Sequence, residues 1–109
     1  MDIIKSSSDI SYLFNNGQRV NTPFFTLIVN SVEKQHDHNG RAAFVAGKKN
    51  GNAVWRNRAK RRMRAVCLDT GGPYDGFDVV FLAKKKITSA AYDELLISCK
   101  KALDKAGIR

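Results

Sequence analysis

The sequence predicts an α+β protein: a single-domain sandwich in which helices lie on one sheet, in the order α-β-β-β-α-β-α. Three observations carry this. The chain has 109 residues, enough for one modest core. Two apolar runs of strand length, Phe24–Val32 and Phe77–Ala83, contain the β-branched and aromatic residues that suit a covered sheet. Three segments, about residues 7–16, 53–68 and 89–106, carry apolar residues at the spacing of a half-buried helix. No internal repeat or low-complexity tail divides the chain, so residues 1–109 read as one unit.

The first helix follows from Ser6-Ser7-Ser8-Asp9, which offers capping side chains and an early carboxylate for the helix dipole. Ile10, Leu13 and Phe14 make a narrow stripe, and Gly17 is a helix stop. Arg19–Val32 is extended; Pro23 splits it into a short strand and a longer one, Phe24–Val32. Glu33–Gly40 is polar and ends in Asn-Gly, a hairpin connection. Arg41–Gly47 is a compact strand with both faces largely buried, and Lys48–Asn52 is a loop.

Asn52 caps the second helix, about residues 53–68, and Gly71-Gly72-Pro73 ends it. Tyr74-Asp75-Gly76 is turn chemistry before the central strand Phe77–Ala83. Thr88 or Ser89 caps the last helix, about 89–106, with a core stripe of Tyr92, Leu95, Leu96, Cys99 and Leu103 and a stop at Gly107. Cys67 and Cys99 lack metal-ligand spacing and read as reduced core thiols. No apolar run reaches the length of a membrane span, and the N-terminus has no signal pattern.

Charge points to function. The formal net charge is +9, and its distribution is uneven. From His38 to Leu68 there is no carboxylate, against nine bases: Arg41, Lys48, Lys49, Arg56, Arg58, Lys60, Arg61, Arg62 and Arg64. Outside that window ten bases meet ten acids. Such a cluster repels itself unless a polyanion neutralises it, and nucleic acid is the commonest such partner. On a helical wheel Trp55, Ala59, Met63 and Val66 form the buried stripe. Arg56, Lys60 and Arg64 line up at i, i+4, i+8, and Asn57, Arg58, Arg61 and Arg62 continue around the surface. Like-charge i, i+4 pairs destabilise a helix by a few tenths of a kcal/mol each, so structure alone does not favour this face.

The residue types suit RNA. An arginine fork bonds two phosphate oxygens or stacks on a base. Asn57, a poor mid-helix residue, offers a donor and an acceptor to a 2′-hydroxyl or base edge. Neutralising about six phosphates gives a log K versus log salt slope of roughly −4. His36-Asp37-His38 lacks further ligands nearby, and no Ser-His-Asp, Cys-His or paired-carboxylate set rises above chance, so no catalytic or metal residue is assigned to the polypeptide. Lys84-Lys85-Lys86 is either an additional RNA contact or a solvated edge.

The run Lys48-Lys49-Asn50-Gly51-Asn52-Ala53-Val54-Trp55-Arg56-Asn57-Arg58-Ala59-Lys60-Arg61-Arg62-Met63-Arg64 resembles the signature of the bacterial ribonuclease P protein family, with its Arg-Asn-Arg core, following Lys-Arg and upstream Lys-Lys and Gly-Asn-Ala-Val. The resemblance covers essentially the whole chain. It implies a ribosomal protein S5 domain 2-like sandwich, with the basic helix in a left-handed βαβ crossover that the usual handedness rule does not predict. It implies a cytoplasmic protein without a membrane or obligate protein partner. Its partners are a catalytic RNA, which cleaves the 5′ leader from precursor tRNA, and that precursor tRNA. Mg²⁺ is then held mainly by the RNA and substrate. By position, Lys48, Lys49, Arg56, Asn57, Arg58, Lys60, Arg61, Arg62 and Arg64 fall to the RNA-subunit surface.

The leader cleft of the family, between the first helix and the sheet, maps to Ile10, Phe14 and Ile28, with Phe25 as a candidate aromatic substitute. Ile10 and Ile28 stand where many members have Phe and Tyr; Gly47 replaces a usual Ser and Ala65 a usual Glu. The alternative function is a structural RNA binder of ribosomal-protein type. A DNA-groove module is a third reading, and a membrane-surface helix the weakest, because Trp55, Met63 and Val66 are needed by the core.

Overall fold

The computed structural model describes residues 2–32 and 40–108. Its elements are α1 (Ser7–Asn16), β1 (Gln18–Asn21), β2 (Phe25–Ser31), β3 (Arg41–Val45), α2 (Ala53–Asp69), β4 (Phe77–Ala83) and α3 (Tyr92–Ala106), with 3-10 turns at Lys48–Asn50 and Lys85–Thr88. The predicted order α-β-β-β-α-β-α is present. The predicted hairpin is not formed, because β4 lies between β2 and β3 and the strands on either side of residues 33–40 are not paired; His36-Asp37-His38 lies outside the described residues.

The four strands are ordered β1-β2-β4-β3. β2 pairs antiparallel with β1 and β4, whereas β3 pairs parallel with β4 across the α2 crossover. Side-chain alternation gives the sheet two buried faces. Phe25, Leu27 and Val29 of β2 and Val79, Phe81 and Ala83 of β4 point to one face, where α2 and α3 cover them with Ala59, Met63, Val66, Cys67, Leu95, Cys99 and Leu103. Ile28, Val80 and Ala43 point to the other, where Leu13 of α1 and Ile4 cover them. The outer edge of β3 is paired in turn by the N-terminal segment, through Ile4 N–H to Ala42 O and Ala42 N–H to Asp2 O.

Helix α1 keeps its predicted bounds, with Ser6 accepting from the Asp9 N–H. Gly17 ends it in an extended conformation, not a left-handed one. Glycine is needed there for close approach: a Cβ would stand 2.6 Å from Ile28 Cγ2 and 2.7 Å from Leu13 O.

Helix α3 starts later than expected. Lys85–Thr88 forms its own turn around the buried Ile87, so Thr88 and Ser89 do not cap α3. The cap residue is Ala91, whose N–H is taken by the Glu94 carboxylate at 3.1 Å. Both cysteines are free and buried. No helix among the described residues is long and apolar enough to cross a membrane.

Candidate nucleic-acid interface

Helix α2 is built from its cap outward. The Asn52 side chain accepts from the Trp55 N–H at 3.0 Å. Gly51 lets the Trp55 ring fold back over it, since a Cβ at that position would lie 2.7 Å from Trp55 Cβ and Cγ. The half-buried indole donates from Nε1 to Lys85 O at 3.3 Å. Ala59, Met63, Val66 and Cys67 are fully buried on the sheet. The helix is therefore seated on the sheet and stitched to the turn after β4. Lys85 and Lys86, both exposed on that turn, stand beside its N-terminal half. Lys84 differs from them, because its Nζ donates to Thr22 O at 2.7 Å.

The nine bases of the acid-free window separate into internal and outward groups. Arg41 points inward: Nη2 and Nε donate to the two oxygens of Asp78 at 2.7 and 3.1 Å, and Nη1 reaches Asp9 at 3.4 Å. These carboxylates hold the Arg41 pKa above its ordinary value, chiefly through the hydrogen bonds that Asp78 accepts from it. Arg62 is also internal. Its guanidinium donates to the carbonyls of Thr88 and Ala90, tying α2 to the approach to α3. Main-chain carbonyls thus engage two of its nitrogens, which sets Arg62 apart from the fully exposed bases of the helix. Arg56 is half-buried and donates to Gly51 O at 3.3 Å, bracing the loop before the helix.

The outward bases are Lys48, Lys49, Arg58, Lys60, Arg61 and Arg64, all exposed, and the exposed Asn57 stands among them. Arg64 crosses the edge of α2 toward β3 and lies over the Phe44 ring, 5.6 Å from its centroid. No acidic side chain of α2 interrupts this surface before Asp69. Arginine forks displayed on a helix packed against the sheet suit phosphate oxygens and base faces.

The second predicted surface is altered more. Phe25 is 0 % exposed and lies in the core beneath α2 and α3, its ring 5.5 Å from that of Phe81. It cannot serve the α1 side as a substitute aromatic, because strand alternation sends its side chain through the opposite face. Ile28 points to the α1 side but is also 0 % exposed, sealed by α1 and Ile4. Ile10 and Phe14 are half-buried at the rim of that cluster. Sequence reasoning missed Arg19: it lies over the Phe14 ring, 5.7 Å from the centroid, and Nη2 donates to Phe14 O at 3.0 Å. Its only signal was position, just beyond the Gly17 turn that brings β1 back past α1. Among the described residues no group of three His, Cys, Asp or Glu side chains is placed to hold a metal ion.

The sequence model of the family described as Ribonuclease P matches residues 2–107. The chain belongs to the ribonuclease P protein family. The ribonuclease P protein component of Streptococcus mutans is 37% identical over 93 residues, covering 84% of this chain and 75% of that protein. The corresponding component of Streptococcus pyogenes is 33% identical over 92 residues, with the same coverage. Among solved ribonuclease P proteins, that of Staphylococcus aureus superposes with a TM-score of 0.79 at 24% identity, over 97% of this chain and 95% of its own. That of Thermotoga maritima gives 0.78 at 21% identity, over 96% and 97%. The mixed four-stranded sheet with three helices is thus the fold of this ribonuclease P family.

Proposed function

We propose that the chain is the protein subunit of a ribonuclease P holoenzyme. It binds the catalytic RNA through the outward face of α2 and binds the 5′ leader of precursor tRNA at the α1 side of the sheet, assisting endonucleolytic removal of that leader. The observation that carries this reading is the acid-free cationic face of α2, held rigid by Trp55 on Lys85 O and by Arg62 on Thr88 and Ala90. A helix already formed and seated on the sheet presents Asn57, Arg58, Lys60, Arg61 and Arg64 without first having to fold, which lowers the backbone entropy lost on binding. Lys48, Lys49, Lys85 and Lys86 extend the surface at its N-terminal end.

Leader contact in this reading falls to the exposed rim: Phe14 with Arg19 over it, and Ile10 beside them. The apolar Ile28 supports them from beneath and touches nothing outside. One aromatic at that rim gives stacking of roughly 1–3 kcal/mol. Hydrolysis and the Mg²⁺ that supports it belong to the RNA subunit and substrate; the polypeptide contributes position and counter-charge in the cytoplasm.

The test is cleavage of precursor tRNA by a cognate RNA subunit at low Mg²⁺, with and without this protein. Stimulation of leader release is the expected result. Intact binding to ribosomal RNA with no stimulation would instead establish the chain as a structural RNA binder.

A further inference from the structure

A shallow, open groove of about 480 Å³ lies beside α2, lined by Arg58, Arg61, Arg62, Ala65, Ala90 and Tyr92. Its construction differs from the convex cationic face. Arg58, Arg61, Arg62 and Ala65 stand at i, i+3, i+4 and i+7 on one edge of the helix, and Tyr92 at the start of α3 forms the far wall. The wall is fixed: the Tyr92 hydroxyl donates to Asp69 Oδ2 at 2.6 Å. That bond lies at the far end of α2 and engages the Asp69 carboxylate; the Glu94 carboxylate is engaged in turn by the Ala91 N–H. The floor is fixed too, by Arg62 on the carbonyls of Thr88 and Ala90. Arg62 Nε is buried there without a hydrogen-bond partner among the described residues. Two methyl groups, Ala65 and Ala90, leave room between wall and helix.

We propose that this groove takes one unpaired nucleotide of the catalytic RNA, with its base against Tyr92 and the two alanines and its phosphate on Arg58 and Arg61. The inference rests on the RNA-docking reading of α2 and adds a base-binding slot to it. An aromatic wall, a small apolar floor and two free guanidinium groups at the rim match the parts of a nucleotide separately: π face, sugar edge and anion. A peptide carboxylate would use the arginines and leave the slot empty. In this arrangement Tyr92 is a binding residue and Arg62 a positioning residue.

The experiment measures affinity for the cognate RNA subunit and base-resolved chemical protection of that RNA, using the full-length chain. Ala65→Leu fills the slot while leaving Tyr92 and all three arginines in place. It is expected to weaken binding about tenfold and to expose one unpaired base that the parent protein protects. Tyr92→Leu, which removes the ring, is expected to match Ala65→Leu. Arg58→Ala separates this idea from the reading beneath it. If Arg58→Ala weakens binding but Ala65→Leu leaves either affinity or the protection pattern unchanged, the slot is wrong and the docking face stands. If Arg58→Ala has no effect, the docking face itself is wrong. Should Tyr92→Leu loosen α3, Ala65→Leu alone decides.

Discussion

Arg41 and Asp78 form a two-pronged ion pair, 2.7 and 3.1 Å long, across the parallel strands β3 and β4. The Asp78 side chain is only 9% exposed, and Arg41 extends the pair to Asp9 of α1 at 3.4 Å. Removing either partner of the central pair leaves a charge stranded at the end of the sheet. Arg41→Ala is expected to cost about 2–4 kcal/mol of stability in denaturant titrations. Asp9→Asn, at a half-exposed position, is expected to cost less than about 1 kcal/mol.

The arginines of α2 divide by what they touch. Arg62→Ala loses hydrogen bonds to two carbonyls and is expected to destabilise the fold by about 2 kcal/mol. Lysine is a poor replacement, since an ammonium cannot span both acceptors as the planar fork does. Arg58→Ala and Arg61→Ala are expected to leave thermal unfolding within about 0.5 kcal/mol of the parent. Calorimetry on the three variants checks the division.

Salt dependence gives an independent measure of which cations meet phosphate. Each of Arg58→Ala, Lys60→Ala and Arg61→Ala is expected to make the log K versus log salt slope for the RNA subunit shallower by about 1. A folded Arg41 variant is expected to keep the parent slope, because Arg41 already has its counter-charges in Asp78 and Asp9. Filter binding across a salt series reads this directly.

Phe14→Ala is expected to reduce affinity for precursor tRNA by about tenfold while leaving mature tRNA and the RNA subunit unaffected. Arg58→Ala is expected to act on the RNA subunit and hence on both tRNAs alike. Competition between precursor and mature tRNA in the assembled holoenzyme separates the two surfaces; identical effects would merge them.

Alkali weakens the core in a defined window. Burial pushes the Cys67 thiol from its ordinary 9.0 to about 11, and it pushes Cys99 and Tyr74 the same way. The folded state therefore holds these protons more tightly than the unfolded chain. That stability is complete below about pH 9 and is lost as pH rises through about 11. Chemical denaturation at stepped pH is expected to show the decline, and native Cys67 and Cys99 are expected to resist alkylation at pH 8 until the protein unfolds.

The sequence made local structure legible wherever one signal dominated. Phe77–Ala83 and α1 appear with their predicted bounds, because an unbroken apolar run and a Ser–Gly bracket each leave little choice. The start of α3 was obscured by two weak capping hydroxyls, Thr88 and Ser89; the buried Ile87 takes that stretch into a separate turn, and Glu94 caps from inside the helix. Charge counting found the basic segment but treated it as one surface. Arg41 and Arg62 meet partners 37 and 26 residues away, which no window of sequence reveals. Alternation along β2 puts Phe25 and Ile28 on opposite faces, a parity that the shared leader-cleft assignment overlooked, and it does not reveal that helices seal both faces.

The strand order has a consequence for how the chain becomes a sheet. β4 lies between β2 and β3, so only the β1–β2 ladder is independent of it. During vectorial synthesis that ladder and the basic helix emerge while β2 and β3 are still unjoined, and the apolar stripe of α2 has no surface to settle on. Closing the gap from Ser31 to Phe77 brings together residues far apart in the chain, the kind of non-local pairing that slows folding. Arrival of residues 77–83 completes both ladders at once. A nascent chain stopped just before Phe77 would carry every residue of the Lys48–Arg64 signature and still have no platform on which to hold it.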